Sequence, residues 1–206
     1  MSSNILRIHA VLGNTKALGP GERFALWLQG CEKDCSGCMS PAAKDITGGS
    51  EKTIDEIMKA ILSEKNLEGV TISGGEPFLQ YAGLYKLLIS IREKTSLGVI
   101  IYTGHYINEL AGMRIAEIDA ILAGLADIII DGPYIPELND GLSLRGSGNQ
   151  KINLITPRYK DIAPSYYDRP DRKCEIHLYN HEAFMVGIPD AAAYKMWRQF
   201  AETHRG

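Results

Sequence analysis

Short apolar runs alternate with amphipathic helical segments through most of the chain, and this alternation narrows the possible folds more than any other feature. Strands are predicted over residues 5–12, 24–29, 70–73, 98–102, 127–130 and 151–155. Helices are predicted to begin at Thr53, where Glu56 completes a capping box, and to cover residues 84–91 and 115–125. Strands that alternate with helices favour right-handed β/α units. The sequence therefore predicts an α/β fold with a mainly parallel sheet.

The pattern changes after residue 156, and the change predicts a boundary between a core and an extension. Residues 156–172 contain three prolines and seven charged residues, a composition typical of a linker or a surface loop. With 206 residues, the chain is also shorter than the roughly 250 that a complete eight-unit β/α barrel needs. We therefore predict a core over residues 1–156 and a C-terminal α+β extension over residues 157–206 that packs on it.

Two elements are predicted within the extension. The first is a half-buried strand in which the apolar side would carry Cys174, Ile176 and Leu178. On this pattern we expect Cys174 to be a buried structural thiol. The second is a helix that opens at Pro189-Asp190 and keeps its aromatic residues on one side, namely Tyr194, Trp197 and Phe200.

The composition fits a folded protein that stays in the cytoplasm. Apolar residues make up 45% and charged residues 23%, and a net charge of −3 is unlike that of a protein that coats nucleic acid. No apolar run approaches the roughly 18 residues of a membrane span, and residues 1–4 lack the layout of a secretory signal. We therefore expect a cytoplasmic protein with reduced thiols, no membrane contact and no direct nucleic-acid binding.

Three of the four cysteines crowd into eight residues. Cys31, Cys35 and Cys38 are separated by three residues and then by two, whereas Cys174 stands alone. Clustered thiols in a reducing compartment bind metal or perform redox chemistry more often than they form disulfides. A structural zinc needs four ligands, so that Cys174 or a histidine would have to complete the set. A cubane iron–sulfur cluster held by three thiolates instead leaves one iron open to an external ligand.

Glycine-rich and polar segments follow the predicted parallel strands one after another. The cysteine loop follows the second strand, and residues 73–77, 103–105 and 131–134 follow the next three. Because the carboxyl ends of parallel strands share one rim, these segments are expected to meet at a ligand site. Gly74 and Gly75 suit a ligand that approaches the backbone closely. Glu76 could receive an ammonium group and Arg145 a carboxylate, as a zwitterionic amino acid would require.

Two motifs carry a resemblance to a known family. Cys31-x-x-x-Cys35-x-x-Cys38 and the segment Gly74-Gly75-Glu76-Pro77 resemble the motifs of the radical S-adenosylmethionine (SAM) enzymes. Within these enzymes the chain is most similar to the activating proteins of anaerobic ribonucleotide reductases. That likeness covers residues 5–156 and runs through residues 19–21, 102–104, 131–134 and 144–150.

The resemblance implies a fold, two cofactors and a set of site residues. The fold would be a partial (β/α)6-type open barrel of mainly parallel strands with the C-terminal extension packed on it. A 4Fe-4S cluster would bind to Cys31, Cys35 and Cys38, and its open iron would be chelated by the amino and carboxylate groups of SAM. The residues implied to contact SAM are Gly74, Gly75 and Glu76, at its methionyl part, with Thr103, Asp131 and Arg145 as further contacts.

The resemblance also implies an activity and a partner. An electron from the cluster would cleave SAM to methionine and a 5′-deoxyadenosyl radical, which abstracts hydrogen from a substrate. In the activating branch the substrate is a backbone glycine of a partner protein, which becomes a glycyl radical enzyme. The electron donor would be flavodoxin-like.

Two departures keep other functions open. Gly37 stands where many radical SAM enzymes carry an aromatic residue, and the extension after residue 157 is not part of the compact activator pattern. One alternative is therefore a radical SAM enzyme that modifies a peptide or a small molecule. The other is a zinc-stabilised interaction module, which needs only the thiols.

Overall fold

The computed structural model describes residues 4–162, 167, 169–170, 172–179 and 182–203. Seven of its strands form one sheet and the last two form a separate hairpin. The strands of the sheet are β1 (Ile5–Thr15), β2 (Arg23–Leu28), β3 (Ser50–Thr53), β4 (Gly69–Gly74), β5 (Gly98–Tyr102), β6 (Ile128–Asp131) and β7 (Lys151–Leu154). Those of the hairpin are β8 (Cys174–Tyr179) and β9 (Glu182–Gly187).

The large sheet is parallel at its centre and antiparallel at its margins. Its order is β3-β1-β2-β4-β5-β6-β7. Neighbours among β2, β4, β5 and β6 pair in parallel, whereas β1 is antiparallel to both β2 and β3, and β7 is antiparallel to β6. The predicted α/β fold is confirmed, but two of the six predicted strands, β1 and β7, do not join the parallel set.

The helices connect the parallel strands as predicted. They are α1 (Ile54–Ser63), α2 (Tyr81–Lys94), α3 (Ile107–Gly112) and α4 (Ala116–Ala120), which continues as a π-helical turn over Ile121–Leu125. The predicted capping box is present, because the Thr53 hydroxyl accepts from the Glu56 N–H and the Glu56 carboxylate accepts from the Thr53 N–H. The short strand β3 and the short helix α3 were not expected from the sequence.

The two sides of the sheet are covered differently. One side packs its strand residues, including Leu26, Ile72 and Ile101, against the buried stripes of the helices. The other side carries Ala25 and Trp27 on β2 and is covered by loops and by the extension. Trp27 and Val186 on this second side also line the cavity that is described below.

Arg23 fills the amino end of the parallel strands on this second side. It is 0% exposed, and all five of its N–H groups donate hydrogen bonds. The acceptors are the hydroxyls of Thr71 and Tyr159 and the carbonyl oxygens of Pro20, Val70 and Gly98. Because Tyr159 follows β7 in sequence, Arg23 ties the end of the core to its beginning.

The extension consists of the β8–β9 hairpin and helix α5 (Ala191–Thr203). The helix begins after Asp190, as predicted, and the Asp190 carboxylate accepts a hydrogen bond from the Ala193 N–H. Val186 is buried against Ala17 and Ala25 of the core. Residues 163–166, 168 and 171, which belong to the predicted linker, lie outside the described residues.

The side of the hairpin that was predicted to be buried is exposed, and its other side faces the core. Cys174 is exposed, and Ile176 and Leu178 are 65% and 79% exposed. The prediction that Cys174 is a buried thiol is therefore wrong. Glu175 points to the core instead, where its carboxylate accepts hydrogen bonds from the Thr15 hydroxyl at 2.7 Å and the Lys16 N–H at 2.8 Å.

Among the described residues, none of the helices has the length and the apolar character that crossing a membrane would require.

Candidate active site

A cavity of about 230 Å³ opens at the carboxyl ends of the parallel strands. Of the residues predicted to form the site, it brings together Cys35, Cys38, Gly74, Gly75 and Thr103. These residues come from three separate segments, which follow β2, β4 and β5. Gly132 and Tyr134, from the segment that follows β6, line it as well, so the expectation that the four strand-end segments share one rim is met.

The cysteine loop is anchored at its beginning. The Gly30 N–H donates to the Ala43 carbonyl at 2.8 Å, and the Cys31 N–H donates to the Lys44 carbonyl at 3.1 Å. All three thiols are free and half-buried. The loop therefore presents three unpaired thiols from one anchored segment.

The surroundings of Cys31 favour its protonated form when nothing is bound. Burial raises the pKa of the Cys31 thiol, a hydrogen bond from the Lys33 N–H to the sulfur opposes the rise, and the nearby Glu76 carboxylate adds to it. A bound cation would reverse this balance, because iron binds the thiolate and neutralises its charge. The thiol is thus suited to a metal centre more than to free nucleophilic chemistry.

The three thiols are the donor set of a cluster with three protein ligands. They lie on one anchored loop, and none of them is in a disulfide. The thiolates of a cubane bind different irons, so that they need not converge on one point, whereas a structural zinc requires four ligands around one centre. The chemistry of the donor set therefore fits such a cluster.

The glycine pair packs against the start of the cysteine loop, backbone to backbone. Gly74 has a φ of 115°, and a Cβ on it would overlap the backbone of Leu28. A Cβ on Gly75 would overlap the carbonyl oxygens of Gly30 and Ala43. Two hydrogen bonds join the same segments, from the Gly75 N–H to the Leu28 carbonyl and from the Glu76 N–H to the Gly30 carbonyl, both at 2.8 Å.

Glu76 is a buried carboxylate that is held by neutral donors. It is 3% exposed and accepts from the Phe78 N–H, the Thr103 hydroxyl and the Gly104 N–H at 2.8–3.0 Å. None of the ion pairs between described residues includes it. A carboxylate offers about four acceptor positions, so these three bonds leave one on Oε2. A buried anion with an acceptor position to spare suits a ligand ammonium group.

The structure does not bring Asp131 and Arg145 to the cavity. The buried Asp131 carboxylate accepts from the Ile107 N–H at the start of α3 and from the Lys151 N–H at the start of β7. Arg145 forms an ion pair with Asp140 at 2.6 Å. Neither residue lines the cavity, nor do Cys31 and Glu76, but Glu76 is hydrogen-bonded to two residues that do, Thr103 and Gly104.

Several lining residues were not identified from the sequence. Trp27 lines the cavity, and so does the segment 185–189 of the extension. Trp27 lies two residues after Ala25 on β2, so that both side chains are on the same side of the sheet. The alternation of side chains along a strand could therefore have identified it. The contribution of the extension had no sequence signal, because it depends on how the hairpin folds back.

Comparison with known proteins adds a family. A model described as a 4Fe-4S single cluster domain matches residues 17–153. The match includes the three clustered cysteines and the segment from Gly74 to Glu76, and it ends before the extension begins.

Three similar proteins are named as activating proteins or enzymes. The anaerobic ribonucleoside-triphosphate reductase-activating protein of Escherichia coli K12 is 27% identical over 145 residues, which cover 66% of this chain and 91% of that protein. The protein of the same name from Vibrio cholerae serotype O1 is 32% identical over 147 residues, covering 67% and 91%. The pyruvate formate-lyase-activating enzyme of Clostridium pasteurianum is 36% identical over 169 residues, covering 79% and 67%.

Proposed function

Because the chain belongs to the radical SAM activating enzymes and carries their 4Fe-4S single cluster domain, we propose that it installs a glycyl radical on a partner enzyme. It is an enzyme whose cofactors are a 4Fe-4S cluster and SAM. The names of its relatives suggest two partners, an anaerobic ribonucleoside-triphosphate reductase and a pyruvate formate-lyase. The observation that carries the proposal is that thiols and glycines from separate segments line one cavity.

Cys31, Cys35 and Cys38 are the proposed protein ligands of the cluster. When bound, the cluster supplies the electron that cleaves SAM, and the radical released takes a hydrogen atom from the substrate. Cys35 and Cys38 line the cavity, and Cys31 begins the same anchored loop. Three protein ligands would leave one iron for the external ligand. Cys174 lies on the exposed side of β8 and is not proposed as a ligand.

SAM is proposed to lie along the glycine pair. Gly74 and Gly75 line the cavity where its methionyl part would lie, and the remaining acceptor position of Glu76 would receive its ammonium group. Thr103 fixes the Glu76 carboxylate by its hydroxyl, which donates at 2.8 Å. Asp131 and Arg145 are bound elsewhere in this structure, so their predicted contacts with SAM carry less support.

The finer expectations from the sequence also belong to the proposal. They are a sheet curved into a partial (β/α)6-type open barrel, a flavodoxin-like electron donor and a place in the cytoplasm. The four parallel strands and the cavity at their carboxyl ends support the first of these.

A radical SAM enzyme acting on a peptide or a small molecule is the second candidate. It is favoured by the segment 185–189, which lines the cavity and lies outside the matched family model. A zinc-stabilised module is not favoured, because the described residues gather no set of ligands for one ion.

The test is made on protein purified and reconstituted without oxygen. We expect about four irons and four sulfides per chain, reductive cleavage of SAM, and a glycyl radical signal by electron paramagnetic resonance when either candidate partner is added. Alanine at Cys31, Cys35 or Cys38 should abolish SAM cleavage, whereas Cys174→Ala should leave it intact. SAM cleavage without a glycyl signal on either partner would reject activation and favour the second candidate. Zinc without iron would reject both.

A further inference from the structure

We propose that a groove between the core and helix α5 binds an extended, glycine-bearing polypeptide segment of the partner and guides it to the cavity. This inference rests on the proposed function and names the surface that recognises the substrate. The groove measures about 930 Å³ and runs between the loop around residues 134–141 and the first turns of α5.

The groove is continuous with the cavity. Four residues line both of them, namely Met39, Tyr134, Asn139 and Pro189. A ligand that lies in the groove can therefore extend directly into the cavity that Cys35 and Cys38 line.

The relative sizes fit a polypeptide that presents a glycine. The cavity has about 230 Å³, a quarter of the volume of the groove. Most of a large substrate must stay in the groove, and only a narrow part of it can enter the cavity beside SAM. Glycine has no side chain, so that an extended segment can bring its Cα into a space that other residues would not enter.

The lining of the groove suits the backbone of an extended chain. Asn139 and Tyr194 offer donors and acceptors for peptide groups, and Tyr134 and Pro136 offer apolar surface. Asp140 pairs with Arg145, and Asp190 caps the first turn of α5. With Arg172 and the exposed Lys195, the lining balances two positive against two negative charges, which favours peptide groups over a strongly charged small molecule.

The groove is held open by a buried arginine. The Arg172 side chain is 5% exposed and joins the extension to the core loop. Its guanidinium donates to the carbonyls of Leu142 at 3.0 Å and Arg145 at 2.9 Å, and also to that of Pro189 at 3.4 Å. Both walls are therefore fixed before a substrate arrives, which lowers the entropic cost of binding.

One wall of the groove lies outside the matched family model. Helix α5 and Arg172 lie beyond residue 153, where the matched family model ends. The reductase-activating relatives match about two thirds of this chain along 91% of their own length. The extension therefore adds recognition surface to a catalytic core that is shared, and it would select the partner.

Gln199→Trp tests the groove, because a bulky side chain there narrows it. Met196, which is 70% exposed and does not line the groove, gives the matched control Met196→Trp on the same helix. Affinity for each candidate partner is measured by biolayer interferometry without SAM. We expect at least a tenfold loss for Gln199→Trp and no more than a twofold change for Met196→Trp.

The outcomes separate this inference from the proposed function. If the wild-type protein forms no glycyl radical on either partner, the proposed function fails. If it does form one and Gln199→Trp binds and activates the partner like Met196→Trp, the groove proposal is wrong. It is also wrong if Gln199→Trp weakens SAM binding as much as partner binding, or if sedimentation shows that the groove holds a second copy of this chain.

A photo-crosslinking residue supplies a second test, which does not require the groove to be narrowed. Benzoylphenylalanine in place of Gln199 should crosslink to a glycine-containing segment of the partner, identified by mass spectrometry, and the same residue in place of Met196 should not. Crosslinks from position 199 to a different region of the partner would overturn the assignment.

Discussion

Arg23 is buried at the amino end of the parallel strands and Glu76 at the carboxyl end, and their surroundings satisfy the two charges in opposite ways. At the amino end, Arg23 uses all five of its donors on acceptors of the protein. At the carboxyl end, Glu76 accepts three hydrogen bonds and keeps an acceptor position on Oε2. Arg23 is closed off by its neighbours, whereas Glu76 is hydrogen-bonded to two residues that line a cavity.

This difference separates a stabilising charge from a binding charge. A buried guanidinium that satisfies three carbonyls and two hydroxyls holds its neighbours in place and has no donor left for a ligand. A buried carboxylate without a cationic partner among the described residues is stabilised further when a cation arrives. One end of the sheet is thus built for stability and the other for recognition, and four substitutions test that division.

Arg23→Ala should have the largest effect, and the effect should be on stability. It leaves the carbonyls of Pro20, Val70 and Gly98 without their donor and opens a cavity, so that we expect a loss of at least about 4 kcal/mol in the free energy of unfolding. Urea denaturation of the cluster-free protein measures it. Arg7→Ala, which removes an exposed ion pair with Glu51, should cost no more than about 1 kcal/mol. Equal losses for the two variants would contradict the comparison.

Glu76→Gln should act mainly on binding. The amide keeps the shape of the carboxylate but not its charge, and a hydrogen bond to a charged group contributes about 1.5–3 kcal/mol. SAM affinity should therefore fall about 10- to 150-fold, measured by equilibrium dialysis with reconstituted protein. Unchanged affinity would show that the ammonium group of SAM binds elsewhere.

Glu175→Gln tests how the β8–β9 hairpin is attached to the core. The Glu175 carboxylate binds Thr15 and Lys16 at the end of β1, and residues 185–187 of the same hairpin line the cavity. Burial opposes ionisation of Glu175, but hydrogen bonds from Thr15, His177 and the Lys16 N–H outweigh it, and its pKa lies below the ordinary 4.5. This stabilisation is fully present above pH 4.5 and is lost as the pH falls through the lowered pKa.

The substitution should remove that pH dependence and weaken docking of the hairpin by about 1 kcal/mol. Hydrogen exchange of the β8 and β9 amides between pH 3 and pH 6 measures it. Glu93→Gln, at an exposed position on α2, serves as the control. A wild-type hairpin whose protection is the same at both ends of this range would contradict the role given to Glu175.

Arg145→Gln should have the smallest effect on SAM. The sequence suggested Arg145 as a partner for the carboxylate of a ligand, but the structure pairs it with Asp140 outside the cavity. SAM affinity should change by no more than about twofold in the same dialysis assay. A loss as large as that of Glu76→Gln would mean that Arg145 leaves Asp140 to bind SAM.

The sequence predicted the elements of the core because their signals are local. Thr53 and Glu56 form their capping box within four residues, and each buried strand is a short apolar run between turn residues. Strand direction is not local. The prediction of a mainly parallel sheet gave no direction to β1 or β7, and each of them pairs with its neighbour in the antiparallel sense, which depends on the path of the connecting loop.

The sequence predicted those parts of the site that lie at the carboxyl ends of the parallel strands. Cys35, Cys38, Gly74, Gly75 and Thr103 meet as expected because the carboxyl ends of parallel strands share one edge. The hairpin was not predictable in this way. Alternation tells which residues share a side, but the hydrogen bonds of Glu175 with Thr15 and Lys16 decide which side is covered, and they join residues about 160 positions apart.

Trp27 gives the molecule a built-in optical reporter. The chain has two tryptophans, and only the indole of Trp27 lines the cavity, while Trp197 stacks on Phe200 in the terminal helix at 5.8 Å. In a Trp197→Phe background, the fluorescence of the cluster-free protein would come from the cavity wall alone. Ligand entry could then be followed in real time, without a radioactive label and before any electron is transferred.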